Sequence, residues 1–215
     1  MSTEHEINLY YFPGACSLAS HILLQASGLP FKTTKVGFSS NGWPEEVVKM
    51  NPKKQVPFIE LEPGVVLTEG AAIFTAISQL APNKNFLGET RMEVLRSYEW
   101  FSYLSASIHA SKFGAVFRPE RYINDESLYP TVRDLVKNGL REAFGYVEQK
   151  MLELKPIDYE NLRAVDAYLF VFFRWAIKVL QFDVEKDFPR YYERMIAVSK
   201  FEAVQKAMKD EGIEV

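Results

Sequence analysis

Cysteine is almost missing from this 215-residue chain: Cys16 is the only one. One thiol excludes an intramolecular disulfide and any cysteine-cluster metal site, and it fits a reducing compartment. Histidine is scarce too. There are three, with no HExxH pair, so no metal site is expected. No glycine-rich phosphate loop and no serine-hydrolase elbow occurs. Surplus positive charge is also lacking. At a net charge of −3, nucleic acid has no electrostatic footing. Long apolar runs are absent: "AYLFVFF" stops at Arg174, far short of a bilayer span, so no membrane association is expected. The N-terminus, "MSTEHEINLYYF", is acidic and has no apolar signal core. A cytoplasmic location is the expectation.

What the chain has in quantity is aromatic surface. It carries 16 Phe and 11 Tyr, with hydrophobic residues at 47% and charged residues at 25%. That is enough for a full core, and aromatic side chains also line pockets for flat apolar ligands.

The first 80 residues alternate two periods. "INLYYF" (7–12) reads as a strand. Residues 16–27 carry apolar side chains at helical spacing, stopped by Gly28 and Pro30. "FKTTKVGF" (31–38) returns as a strand, which makes a βαβ unit with parallel pairing. A short helix is expected from Pro44. "QVPFIEL" and "VVLTEG" are short strands joined by a Glu62-Pro63-Gly64 turn, and residues 69–82 form a further helix. From Asn83 onward the strand pattern disappears. Helices are expected at 91–117, 127–154, 163–180, 187–198 and 201–211. Residues 165–180 are apolar almost all round and should be the buried centre of that half. The segregation of elements implies two domains in contact. An α+β domain (order βαβαββα) spans residues 1–82, a linker spans 83–89, and an all-α helical bundle spans 90–215.

Four places have chemical character. Cys16 sits in the strand-to-helix turn, where free amides and the helix dipole favour an anion. A thiolate would be stabilised there; a cysteine that merely packs is the other reading. In "QVPF", a cis Val56-Pro57 bond would leave the Val56 amide and carbonyl free to pair with an extended peptide. A trans proline at a strand start is equally tolerable. "TEGAAI" opens a helix. The amides of Glu69 and Gly70 would hold a carboxylate and the Glu69 side chain an ammonium, or Thr68 simply caps the helix. His109 lies on the long helix, and His5 and His21 are weaker candidates than it. A lone helical histidine is also commonly structural.

The stretches "LYYFPGACSLASHI", "NPKKQVPFIEL", "VLTEGAAI", "SIHASKF" and "DAYLFVFFRWA" together resemble cytosolic glutathione transferases, closest to the beta class. The resemblance covers nearly the whole chain, in order. It implies a thioredoxin-like N-terminal domain, a helical C-terminal domain, glutathione as cofactor and a homodimer. It implies catalytic roles for Cys16, beside the glutathione sulfur, and for His109, with Ser17 as a hydroxyl donor. Glutathione would be held by the Val56 backbone next to a cis Pro57, by Glu69 and Gly70 at the γ-glutamyl end, with Gln55 nearby and Lys54 or Lys53 at the glycyl carboxylate. Phe12, Phe113, Phe117 and Trp175 are the candidate wall for a small hydrophobic electrophile. The chain departs from the beta-class pattern at Ala110, Ser102, Lys54 and Arg163, and its spacing from His109 to Phe117 is one residue longer. The function expected is thiolate addition to that electrophile. The alternatives are glutathione-dependent isomerisation of a conjugated alkene, a monothiol thiol–disulfide exchange, and non-catalytic ligand binding on the same scaffold.

Overall fold

The computed structural model describes residues 6–37, 42–157 and 162–214. Its sheet has the order β2-β1-β3-β4, with β1 at Ile7–Tyr11, β2 at Phe31–Lys35, β3 at Phe58–Glu62 and β4 at Val65–Thr68. β1 and β2 are parallel, with Ile7 opposite Phe31. β3 runs antiparallel to both β1 and β4. The end of the expected strand 31–38 lies outside the described residues. Alternation sorts the side chains. Leu9 and Ile59 join one core with helices α1 (Leu18–Ser27) and α3 (Gly70–Leu80). Tyr10 and Phe58, stacked at 4.2 Å, face Val47 of α2 (Glu45–Met50) on the opposite side. This is the βαβαββα half that the alternating periods implied, in the thioredoxin-like arrangement that the family resemblance implied.

Beyond α3 every element among the described residues is helical. α4 is Arg91–Ser102, and a π-helical segment follows at Tyr103–Phe113. Then come α5 (Gly114–Phe117), α6 (Tyr129–Lys150), α7 (Ala164–Lys178), α8 (Val184–Asp187), α9 (Pro189–Val198) and α10 (Glu202–Glu211). Residues 164–176 of α7 are all buried, as its all-round apolar sequence required. Two charges sit in that stretch. Asp166 is held by Arg194 through two bonds at 2.6 and 3.0 Å. Arg174 donates to the Glu214 carbonyl at 2.5 and 3.1 Å. α1 packs on both α7 and α10, so one core runs through both halves. No helix among the described residues is long and apolar enough to cross a membrane.

The single helix expected over residues 91–117 is a correction. Its middle is π-helical, with one extra residue absorbed per turn. Side chains take up carbonyls that the wider turn exposes. The Ser111 hydroxyl donates to Ser107 O at 2.7 Å, Lys112 Nζ to the same carbonyl at 3.0 Å, and the Tyr122 hydroxyl to Ala110 O at 2.9 Å. Thr68 is also not a helix cap. It ends β4, and Glu69 takes the cap position with φ 71° and no side-chain cap bond.

Candidate functional site

A cavity of about 840 Å³ opens between the two halves. On the sheet side it is lined by Cys16, Gln55, Val56, Pro57, Glu69 and Gly70, with Lys53 and Lys54 at its edge. On the helical side it is lined by His109, Phe117 and Trp175, with Phe12 at the mouth. Most of the residues singled out in the sequence therefore share one space.

Local geometry explains each position on the sheet side. The Val56-Pro57 bond is cis. The loop before it is fixed by Asn51, a buried residue that the sequence reading passed over. Its side-chain amide donates to Gln55 O at 2.8 Å and its side-chain oxygen accepts from the Lys53 amide at 3.2 Å. Lys54 and Glu69 both have positive φ, 52° and 71°. Non-glycine residues held this way tend to gather at binding sites. Lys53 Nζ donates to Thr68 Oγ1 at 2.6 Å and pairs with the Glu69 carboxylate. Lys53 thus orients Glu69 as well as bordering the cavity.

Cys16 differs from expectation. Its thiol donates to the Val56 carbonyl at 3.1 Å. The residue is half-buried, and enclosure of its sulfur pushes the thiol up to about 12. The amides of Cys16 and Ser17 pull the other way and lose. α1 begins only at Leu18, and desolvation of the charged form outweighs the dipole at its start. Cys16 is therefore a protonated donor, not a stabilised thiolate.

Two expected positions fall outside the cavity. Ser17 is fully buried, and its hydroxyl donates to Phe12 O and accepts from the Phe12 amide, both at 3.2 Å. It locks the strand-to-helix turn and does not reach into the site. Phe113 is fully buried behind the wall, with its ring 4.9 Å from Trp175 and 5.7 Å from Phe117. It supports the two rings that do line the cavity.

His109 lies with its ring 5.3 Å from Trp175 and 6.0 Å from Phe172. Burial among these rings pushes its imidazole down to about 4. It is neutral at pH 7, so it offers a donor and an acceptor but no charge.

The sequence reading also missed a set of hydrogen bonds that hold the site across the two halves. Trp175 Nε1 donates to Gly14 O at 2.8 Å. The Gly14 amide donates to Glu211 Oε2 at 2.8 Å, and Glu211 Oε1 lies 3.0 Å from His21 Nδ1. His21 and Glu211 are both buried. Their separation of 190 positions leaves no local signal to find them by. Tyr168, which is 5% exposed, also lines the cavity. Its ring stands 5.4 Å from Phe74 and 4.9 Å from Phe172, and burial keeps its phenol protonated.

Comparison with known proteins gives a consistent picture. Residues 14–80 match the family model for the glutathione S-transferase N-terminal domain. The chain is 32% identical over 213 residues to the glutathione S-transferase GstA of Escherichia coli O157:H7, covering 96% of this chain and all of that protein. A solved glutathione S-transferase from Xylella fastidiosa superposes with a TM-score of 0.86 at 26% identity, covering 97% of this chain and all of the other. The beta-class enzyme of Sphingomonas chungbukensis shares the fold, with a TM-score of 0.80 at 24% identity over 96% of this chain and all of its own.

Proposed function

The chain belongs to the glutathione S-transferase family, and on that premise we propose that it activates the glutathione thiol for attack on a hydrophobic electrophile. The observation that carries this reading is the shared cavity, with peptide-pairing groups on one wall and aromatic rings on the other. The Val56 backbone pairs with the cysteinyl unit, and Glu69 with Gly70 takes the γ-glutamyl end. Lys53 or Lys54 meets the glycyl carboxylate, with Gln55 beside it.

The glutathione sulfur then lies near the start of α1. The amides of Cys16 and Ser17 are its donors, joined by the Cys16 thiol once the cysteinyl unit takes over the Val56 carbonyl to which that thiol now donates. One unit of thiol acidification needs only about 1.4 kcal/mol of differential stabilisation, within reach of a few such hydrogen bonds. The neutral His109 presents a hydrogen bond toward the acceptor. Phe12, Phe117 and Trp175 form the wall against which it stacks. The raised pKa of Cys16 weighs against monothiol exchange, because the thiolate is the attacking species.

We further propose that residues 1–82 bind glutathione, 83–89 link, and 90–215 supply the second-substrate pocket. Bonds from Arg163, Ala164 and Ser97 to the carbonyls of Asn85, Phe86 and Leu87 support a linker fastened to the helical half. A cytoplasmic homodimer completes the reading. Met92, Leu95 and Tyr98 form an exposed apolar stripe on α4 that suits a self-association face.

The experiment is incubation with glutathione and 1-chloro-2,4-dinitrobenzene, and separately with a cis-configured conjugated alkene, followed by mass analysis. An adduct with chloride released is expected from the first. An alkene of changed geometry and unchanged mass, with no adduct from either, would favour isomerisation. No product and no glutathione binding at millimolar concentration would point to a non-catalytic protein.

A further inference from the structure

We propose that the electrophile accepted by this site carries a negative charge: a flat apolar body bearing a carboxylate or a comparable acid. The proposal rests on the transferase reading above and narrows its substrate class.

The chain as a whole has a net charge of −3. The charges lining the cavity have the opposite balance. Glu69 is the one carboxylate among the described lining residues, against Lys53, Lys54, Arg118, Arg121, Arg174 and Lys178. Some of these cations are accounted for. Lys53 holds Glu69, and Lys54 is beside it on the same loop. Arg174 turns two of its nitrogens to the Glu214 carbonyl. Arg121 and Lys178 remain, both on the helical half, where the wall includes Phe117 and Trp175.

Their placement is built into the fold. Arg118 ends α5 with φ −136° and ψ 59°, and a 3-10 turn follows at Pro119–Arg121. The next residue, Tyr122, donates through its hydroxyl to Ala110 O at 2.9 Å. Ala110 is the neighbour of His109 on the π-helical segment. That bond pins the arginine turn to the element that carries His109. Lys178 ends α7, three residues past Trp175, so it lies close to one helical turn beyond the indole.

Arg121 and Lys178 pair with no carboxylate among the described residues, whereas Arg96, Arg141, Lys150, Lys155, Arg163, Arg190 and Arg194 each have one. The carboxylates of glutathione are answered on the opposite wall. Cations left without an anion beside an aromatic surface suit a ring whose outer end is acidic. Guanidinium matches a planar carboxylate through paired hydrogen bonds, and the local field raises the encounter rate of an anion.

The test is calorimetric binding to the full chain saturated with S-methylglutathione, using 3-nitrobenzoate and 3-nitrobenzamide as anionic and neutral probes of similar shape. The acid is expected to bind at least about tenfold tighter, roughly 1.4 kcal/mol. That advantage should shrink with added salt and fall to parity in an Arg121→Gln, Lys178→Gln double variant. Both side chains are exposed, so the variant is expected to fold, and circular dichroism checks it. Equal or weaker binding of the acid, or an advantage that survives in the double variant, overturns the proposal while leaving the transferase reading intact. Failure of S-methylglutathione to bind is the separate failure of that reading. The same two probes, run without it, then still decide the preference for an acid.

Discussion

The Trp175 indole N–H donates to the Gly14 carbonyl at 2.8 Å, across 161 positions of chain. Gly14, with φ +71°, is two residues before Cys16. The turn after β1, on the sheet side of the cavity, is thus held by α7, whose Trp175 lines the opposite side. Trp175→Phe keeps an aromatic ring and removes the donor. Leaving the carbonyl without its partner is expected to cost about 1–3 kcal/mol in stability and to lower kcat/KM for conjugation. Urea unfolding with parallel kinetics checks this. Unchanged values in both would show that the bond positions nothing.

Glu211 accepts from the Gly14 amide and faces His21 Nδ1, and it is buried. Glu211→Ala would strand both groups in the core, a change expected to destabilise by about 3 kcal/mol. Glu211→Gln retains an acceptor of the same shape and should be milder. Comparison of the two denaturant midpoints makes the test. Equal losses would mean that volume, not hydrogen bonding, sets the effect.

Cys16 is a donor with its thiol pushed up to about 12. A single neutral hydrogen bond contributes about 0.5–1.5 kcal/mol, so Cys16→Ala should keep conjugation within about tenfold of the parent. Alkylation of the unliganded protein by iodoacetamide at pH 7 should be slow. A thousandfold activity loss would restore Cys16 as a nucleophile. The raised value also has a thermodynamic sign. An unfolded chain releases this proton near the usual 9.0 and the folded one only near 12. Stability should therefore fall as pH rises from about 9 toward 12, and Cys16→Ala should reduce that fall.

His109 gives the opposite case. Its folded value of about 4 lies below the usual 6.5. Between those pH values the unfolded chain binds the proton and the folded chain does not. Stability is then expected to drop as pH falls from 6.5 toward 4, and less steeply in His109→Asn. In kinetics, the parent should show no limb near pH 6.5 that His109→Asn abolishes. Finding one would mean that the imidazole becomes charged in the working complex.

Tyr168 presents a protonated phenol to the cavity and makes no hydrogen bond to another described residue. Tyr168→Phe should leave thermal stability near that of the parent. If the hydroxyl donates to the bound thiolate, the pKa of bound glutathione should rise in Tyr168→Phe, as read by thiolate absorbance against pH. An unchanged titration would exclude this donor.

Much of the fold was legible because local chemistry dictates it. Gly28 and Pro30 end α1, the Pro63-Gly64 pair turns β3 into β4, and the apolar run from Ala164 has no face to turn to water. The sequence also placed Cys16, Val56 and Glu69 at the ends and turns of elements, where sites form, and His109 within a long helix. The comparisons extend the same reading, since one relative matches over the full length.

What the sequence by itself determined, then, is the order of elements, their amphipathic faces and which turns could hold a peptide. Only the tertiary structure decided the state of each group there. Cys16 became a protonated donor, and His109 neutral, because burial penalises charge by an amount that only packing sets. Ser17 turned back onto Phe12, and Phe113 moved behind the wall, because helix starts and register shifts of one residue redirect side chains. Glu211 met Gly14, and Arg121 came to line the same cavity as Trp175, through the packing of positions far apart in the chain. Hydrogen bonds and fields act over a few ångströms of space, and a linear pattern does not state which distant residues fall within them.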